Sequence, residues 1–151
     1  MGDVKGRKPT EEFSHYFVER PAVEHRPKVI HARMRGRVFA FHTDKGVFAK
    51  DYVDLGTKRL VEKMELPEEG HILDWGCGYG VIGIVAATLR PNAQVWMVDV
   101  NERAIALARR NVKAHRLQNV RVLHGQGFEP LPSDIKFDVI LTNPPMRAGM
   151  A

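Results

Sequence analysis

The feature that most constrains this chain is a run of glycines set between an apolar strand and an apolar helix. It reads Asp74-Trp75-Gly76-Cys77-Gly78-Tyr79-Gly80-Val81-Ile82-Gly83, after the short strand His71-Ile72-Leu73 and at the start of a helix over Val81 to Leu89 that Pro91-Asn92 ends. Glycines at alternate positions permit a tight turn and let a ligand press on bare backbone. The helix start beyond them offers N–H groups to an anion. A strand over Gln94 to Val98 follows, closed by Asp99. Asn101 then caps a helix with Glu102 in its first turn and Arg109, Arg110 and Lys113 toward its end, the charge order a helix dipole favours. Val120 to Leu123 and Phe137 to Leu141 supply two more strands. Alternation of this kind implies a parallel sheet covered on both faces, a doubly wound, Rossmann-like α/β fold.

Upstream the rhythm is different. Residues 1 to about 26 are polar and proline-punctuated, with an aromatic cluster from Phe13 to Phe17. From about 28 to 48 the chain reads as a β-hairpin. Val29, His31, Arg33 and Arg35 alternate with Ile30, Ala32 and Met34; Arg35-Gly36-Arg37 makes a turn, and Val38 to Phe41 returns. A helix is expected from about Asp54 to Met64, with Leu60, Val61 and Met64 on one side and Pro67 as its stop. The organisation is therefore an extension over residues 1–53 that carries the hairpin, and a core over residues 54–151. Nine residues follow Thr142. Val139 to Leu141 would then be an unprotected apolar edge, so the core is expected to lack its C-terminal strands.

Composition excludes several classes. A chain of 151 residues allows one ordinary domain. The single cysteine, Cys77, permits no internal disulfide, and the seven scattered histidines show no zinc-ligand spacing, so no metal is expected. No apolar run approaches the roughly 18 residues of a spanning helix, and the first residues lack the apolar core of a signal peptide. A cytoplasmic location is expected by default. The formal charge of +5 permits a nucleic-acid partner without requiring one.

The glycine loop can serve two cofactor classes. Gly78, Gly80 and Gly83 fit the dinucleotide fingerprint, and Asp99 lies about 20 residues on, where a ribose-binding acid belongs. Asp74 changes the balance. A carboxylate at the strand's mouth repels a pyrophosphate and attracts a cation. The stretch from Asp74 through Gly76, Gly78 and Gly80 resembles the first motif of class I methyltransferases, with Asp99 where their ribose-diol acid falls. That resemblance implies S-adenosyl-L-methionine as cofactor, held by Asp74, Gly76, Cys77, Gly78, Gly80, Asp99 and the adjacent Val100. Gln126 stands where the family usually has an Asp or Asn on the adenine. Cys77 reads as a small filler within the loop.

After the fourth strand comes Asn143-Pro144-Pro145-Met146. An exocyclic amine is a poor nucleophile because its lone pair is delocalised into the ring. Acceptors for both of its hydrogens favour a pyramidal nitrogen with its lone pair aimed at the methyl donor. The Asn143 side-chain oxygen and the Pro144 carbonyl can be that pair. Two prolines fix φ and hold Asn143 extended. The tetrad resembles the Asn-Pro-Pro-x motif of amino-methyltransferases, with Met146 where an aromatic residue is common.

Longer stretches, His15 to Phe17, Thr43 to Thr57, Asp74 to Gly83 and Asn143 to Gly149, resemble the methyltransferase small-domain family. That family includes ribosomal small-subunit RNA guanine-N2 methyltransferases. The resemblance implies a role for Phe48 in closing the cofactor pocket, and ribosomal RNA as substrate. His31, Arg33, Arg35 and Arg37 lie in a segment free of acids and are candidates for phosphate contacts. Adenine-N6 transfer, protein glutamine-N5 transfer and a non-catalytic cofactor- or RNA-binding role remain alternatives at this point.

Overall fold

The computed structural model describes residues 24–144. Strand β1 (Pro27–Met34) pairs antiparallel with β2 (Arg37–Asp44). Arg35 and Gly36 both take positive φ, 54° and 78°, in the two-residue turn between them. That is the backbone twist that a tight hairpin requires. Helix α1 (Leu55–Lys63) follows. The α/β part then runs β3 (Gly70–Trp75), α2 (Val81–Leu89), β4 (Ala93–Asp99), α3 (Glu102–Ala114), β5 (Val120–His124) and β6 (Val139–Leu141). Its four strands are parallel, in the order β5-β4-β3-β6. The fold is thus the mixed α/β architecture that strand–helix alternation predicts, with β6 shorter than the apolar run from Phe137.

After β3 the chain builds outward through β4 and β5 and then crosses back to place β6 on the other side of β3. The crevice outside the carboxyl ends of β3 and β6 is therefore the point where strand order reverses, the place where such sheets bind ligands.

The core lies mainly on one face of the sheet. Ile72, Val95 and Met97 from the sheet, Ile84 and Val85 from α2, Ile105 and Ala108 from α3, and Val61 from α1 share it with Ile30, Met34, Phe39 and Phe41 of the hairpin. Burial of each large side chain contributes roughly 1.5–3 kcal/mol, so the hairpin is fastened by its inner face. Leu73 and Val98 point to the other face and meet Leu131, with Trp96, Leu123 and Phe137 beside them. Among the described residues no helix covers that face, contrary to the expectation of helices on both. The connection from β5 to β6 contains Gly125, Gly127, Pro130 and Pro132, which do not sustain a helix.

Helix α1 lies where expected, with Asp54 as its N-cap and Met64, which turns extended ahead of Pro67, as its C-cap. The Arg35 guanidinium reaches across from the hairpin turn and donates to the carbonyls of Val61 and Met64, each at 2.9 Å. Carbonyls at a helix end need such partners.

Candidate functional site

Three chain segments meet at the carboxyl edge of the sheet. Asp74 pairs in register with Leu141, so Thr142 and Asn143 leave β6 level with Trp75 and Gly76 as they leave β3. The Thr142 hydroxyl donates to the Trp75 carbonyl at 2.9 Å. On the other side, the N–H groups of Gly76 and Cys77 both donate to the Val98 carbonyl of β4. Gly76, Gly78 and Gly80 take positive φ of 75°, 58° and 108°, which explains their spacing. At Gly83 the reason is proximity: an added methyl would lie 2.6 Å from the Met97 side chain.

Asp74 is buried, 1% exposed, at the base of this loop. Its Oδ2 accepts from the Gly83 N–H at 2.8 Å, capping α2 from outside the helix. Its Oδ1 is buried and, among the described residues, has no hydrogen-bond partner. Burial pushes its pKa up to about 7, only partly offset by the Gly83 N–H, with the nearby Asp99 charge raising it further. This corrects the sequence expectation of an open acidic mouth. Asp74 is an interior group, and what it offers a ligand is one unsatisfied oxygen.

The loop N–H groups also differ from expectation. The Gly78 N–H donates to Asp99 Oδ2 at 2.8 Å and the Gly80 N–H to the Cys77 carbonyl at 3.0 Å. With Gly76 and Cys77 bonded to Val98, these four donors hold the loop rather than facing a ligand carboxylate. Asp99 accepts through its other oxygen from the Asn101 N–H at 2.9 Å. Each carboxylate oxygen has a second lone pair, so Asp99 keeps acceptor capacity for a diol. Cys77 is buried, and burial raises its thiol pKa well above the usual value, ahead of the Asp74 and Asp99 charges. It fits the filler assignment and is a poor nucleophile.

Phe48 lies over the loop. Its ring stands 3.7 Å from where a Gly78 methyl would be and meets Tyr79 edge-on at 5.0 Å. Val100 is exposed just past Asp99, and His124 bonds its carbonyl at 2.9 Å. Gln126 is exposed beyond β5. Both sit on the same rim.

Asn143 is half-buried against the start of α1. Its Nδ2 donates to Thr57 Oγ1 at 2.8 Å and to Asp54 Oδ2 at 3.3 Å. Asp54 also caps α1, accepting from the Gly56 and Thr57 N–H groups. The Lys50 ammonium, 3.1 Å away, is the main cause of its lowered pKa, and the Asn143 amide adds to it. Pro144 is exposed. Pro145 and Met146 lie outside the described residues.

The basic stripe is only partly assembled. His31 and Arg33 are exposed on the hairpin's outer face with Val29 and Val38. Arg35 does not join them, because the turn redirects it onto the end of α1. Arg37 is exposed but pairs with Met34, which puts it on the opposite face of the hairpin.

Two residues escaped the sequence reasoning. Thr57 is tied to Asn143 only by tertiary contact. Asn111 had a visible signal, a polar residue on the apolar stripe Ala104, Ile105, Ala108. It is fully buried; its Oδ1 accepts from the His42 N–H at 2.6 Å, and its Nδ2 donates to the carbonyls of His42 and Tyr79. One amide thus fastens the hairpin and the glycine loop to α3.

Among known proteins, the sequence profile of the methyltransferase small domain matches residues 38–151. The uncharacterized protein YbxB of Bacillus subtilis (strain 168) is 42% identical over 136 residues, 89% of this chain and 68% of that protein. Ribosomal RNA small subunit methyltransferase C of Pseudomonas entomophila (strain L48) is 37% identical over 105 residues, 70% of this chain. The aligned part is 31% of that enzyme's length. Among solved structures, M. jannaschii TYW2 in complex with AdoMet matches with a TM-score of 0.50 and 22% identity, over 64% of this chain and 43% of that one. M. capricolum TrmK in complex with S-adenosyl-homocysteine gives 0.51 and 15%, over 60% and 40%. These structural likenesses speak to the fold.

Proposed function

The chain belongs to the methyltransferase small-domain family, whose methyl donor is S-adenosyl-L-methionine, and from that premise we propose that it methylates an exocyclic amino nitrogen of ribosomal RNA, with guanine N2 the leading target. The observation that carries this reading is the position of Asn143 and Pro144. They leave β6 beside the glycine loop, at the point where strand order reverses.

The residues present suit the donor. Asp74 Oδ1, buried and without a hydrogen-bond partner among the described residues, is a site for an ammonium hydrogen, and pairing with a cation favours the ionised acid. Asp99 retains lone pairs for a ribose diol. Phe48, Val100 and Gln126 supply a ring, an apolar side chain and an amide around the same edge. When bound, the cofactor supplies an electrophilic methyl group.

The rest is the work of this chain. The Asn143 side-chain oxygen and the Pro144 carbonyl accept the two hydrogens of the target amine, holding it in place and turning its lone pair outward. Transfer leaves a positively charged nitrogen that readily loses a proton to water, so no base of matched pKa is required. Met146, two residues after Pro144 in sequence, offers a thioether to a target ring. His31 and Arg33, with Arg37 at the hairpin's other face, contribute phosphate contacts, and the target base must leave its stack to reach Asn143. Arg35 is occupied by the end of α1 and contributes indirectly.

The test is transfer of labelled methyl from S-adenosyl-L-methionine to protein-free small-subunit ribosomal RNA, to DNA and to protein. Label is expected in RNA, as an N-methylated base, and Asn143→Ala is expected to lower the rate about 10²–10³-fold. Label confined to protein, or full activity in Asn143→Ala, overturns the reading.

A further inference from the structure

The Asn143 amide nitrogen has two acceptors beside it. An asparagine side chain has two donors on nitrogen and an acceptor oxygen, and its neighbours decide which end faces which way. Here the nitrogen lies 3.3 Å from Asp54 Oδ2, an acceptor-only atom, and 2.8 Å from Thr57 Oγ1. A flipped amide would set its oxygen against the Asp54 carboxylate, and like partial charges repel. Asp54 is itself fixed by the Gly56 and Thr57 N–H groups and by Lys50. Gly56 leaves room for the contact: an added methyl would lie 3.1 Å from Asp54 Oδ2 and 3.4 Å from the Asn143 nitrogen.

We infer that Asp54 and Thr57 are positioning residues that engage the Asn143 nitrogen, so that Asn143 presents only its oxygen and the site takes methyl acceptors that carry a hydrogen. An exocyclic amine, an amide or a protonated ring nitrogen meets that condition. A ring nitrogen with a bare lone pair, such as purine N7 or adenine N1, does not, because it would face oxygen lone pairs. The inference rests on the reading that Asn143 contacts the target, and it deepens that reading by naming the residues that fix which end of the amide faces it.

Thr57→Val keeps the shape and removes the hydroxyl, while Thr57→Ser restores it. In ¹⁵N-labelled protein, the Asn143 side-chain resonance, identified by its loss in Asn143→Ala, is expected to exchange with solvent about tenfold more slowly than that of the exposed Asn92. Thr57→Val, which leaves only the longer contact to Asp54, should remove most of that protection and Thr57→Ser retain it. Exchange as fast as Asn92 in the unmodified chain overturns the lock without any assay of turnover. With small-subunit ribosomal RNA and labelled cofactor, Thr57→Val should lower kcat about tenfold, with the cofactor's KM within about twofold and no further loss in an Asn143→Ala background. If Asn143→Ala is inactive yet Thr57→Val matches the parent, the positioning role is wrong and the function stands. If Asn143→Ala is fully active, the function itself fails. Nucleoside analysis checks the restriction: a methyl on N7 of guanine or N1 of adenine sinks it.

Discussion

The two ends of the site are held in opposite ways. Around Asp74 the contacts are mostly interior and join residues no more than 22 apart in sequence. The acid caps α2 through Gly83, and the loop's N–H groups close on Val98, Asp99 and Cys77. Around Asn143 the contact joins partly exposed segments 86 residues apart in sequence, through one amide nitrogen. Buried polar networks such as this one, satisfied but for Asp74 Oδ1, fix a shape and are costly to disturb. A single half-buried amide costs little to disturb yet fixes a direction. Changes at the first end should therefore register as stability and cofactor affinity, and changes at the second as turnover.

Gly83→Ala is the strongest way to break that contrast. Its methyl would meet Met97 at 2.6 Å and Asp74 Oδ2 at 3.0 Å. A loss of about 2–3 kcal/mol is expected in denaturant unfolding, outweighing the helix propensity that alanine adds. An unchanged midpoint would mean that the interior end is as forgiving as the exposed one.

Asp74→Asn sharpens it. A carboxyl whose folded pKa is raised to about 7 keeps, between about pH 4 and 7, a proton that the unfolded chain has lost. Stability without cofactor therefore falls as pH rises through that window and stays low above it. Asparagine does not titrate, so the variant should melt about 3–6 °C higher at pH 8, with the gap closing toward pH 5. Cofactor affinity should move the other way. Calorimetry is expected to show binding to the parent strengthening from about pH 6 to 8, and binding to the variant about tenfold weaker and flat with pH. A variant with parental affinity would remove Asp74 from cofactor binding.

Gly56→Ala addresses the second end. In α1 the substitution should leave stability unchanged or raise it by up to about 1 kcal/mol, since alanine favours a helix. Its methyl crowds Asp54 and the Asn143 amide, so turnover on RNA should drop about fivefold. Lost stability with intact turnover would reverse the assignment of the two ends.

The smallest effect is expected outside both. Arg33→Gln on the hairpin's outer face should weaken RNA binding by about 1 kcal/mol or less and reduce the slope of log affinity against log salt by about 1, with unfolding unchanged. A parental salt slope would exclude Arg33 from the phosphate contacts.

Legibility in the sequence followed the range of the interaction. Alternating hydrophobicity, the glycine spacing and the Asn101 cap are local signals, and they located the strands, the loop and α3. Asp54 was legible as the start of α1 for the same reason. Burial was not. Asp74 and an exposed acid look alike in sequence, because what lifts the Asp74 pKa is packing from elements elsewhere in the chain. Arg35 alternates correctly with Arg33, yet the two-residue turn takes it off the strand's face. The partnership of Thr57 with Asn143 has no local pattern, since it depends on β6 crossing back beside β3. That a loop carrying Leu131, and no helix among the described residues, lies on the second face was foreshadowed by Pro130 and Pro132.

Helix α1 is anchored at both ends by residues from elsewhere: Arg35 grips its last carbonyls, and Asn143 is bonded to its first turn. Nine helical residues make a strut of about 13 Å, too short to bend appreciably. Motion of the hairpin tip therefore cannot be absorbed along the strut. Where that motion tilts the strut, it carries the Asn143 amide with it.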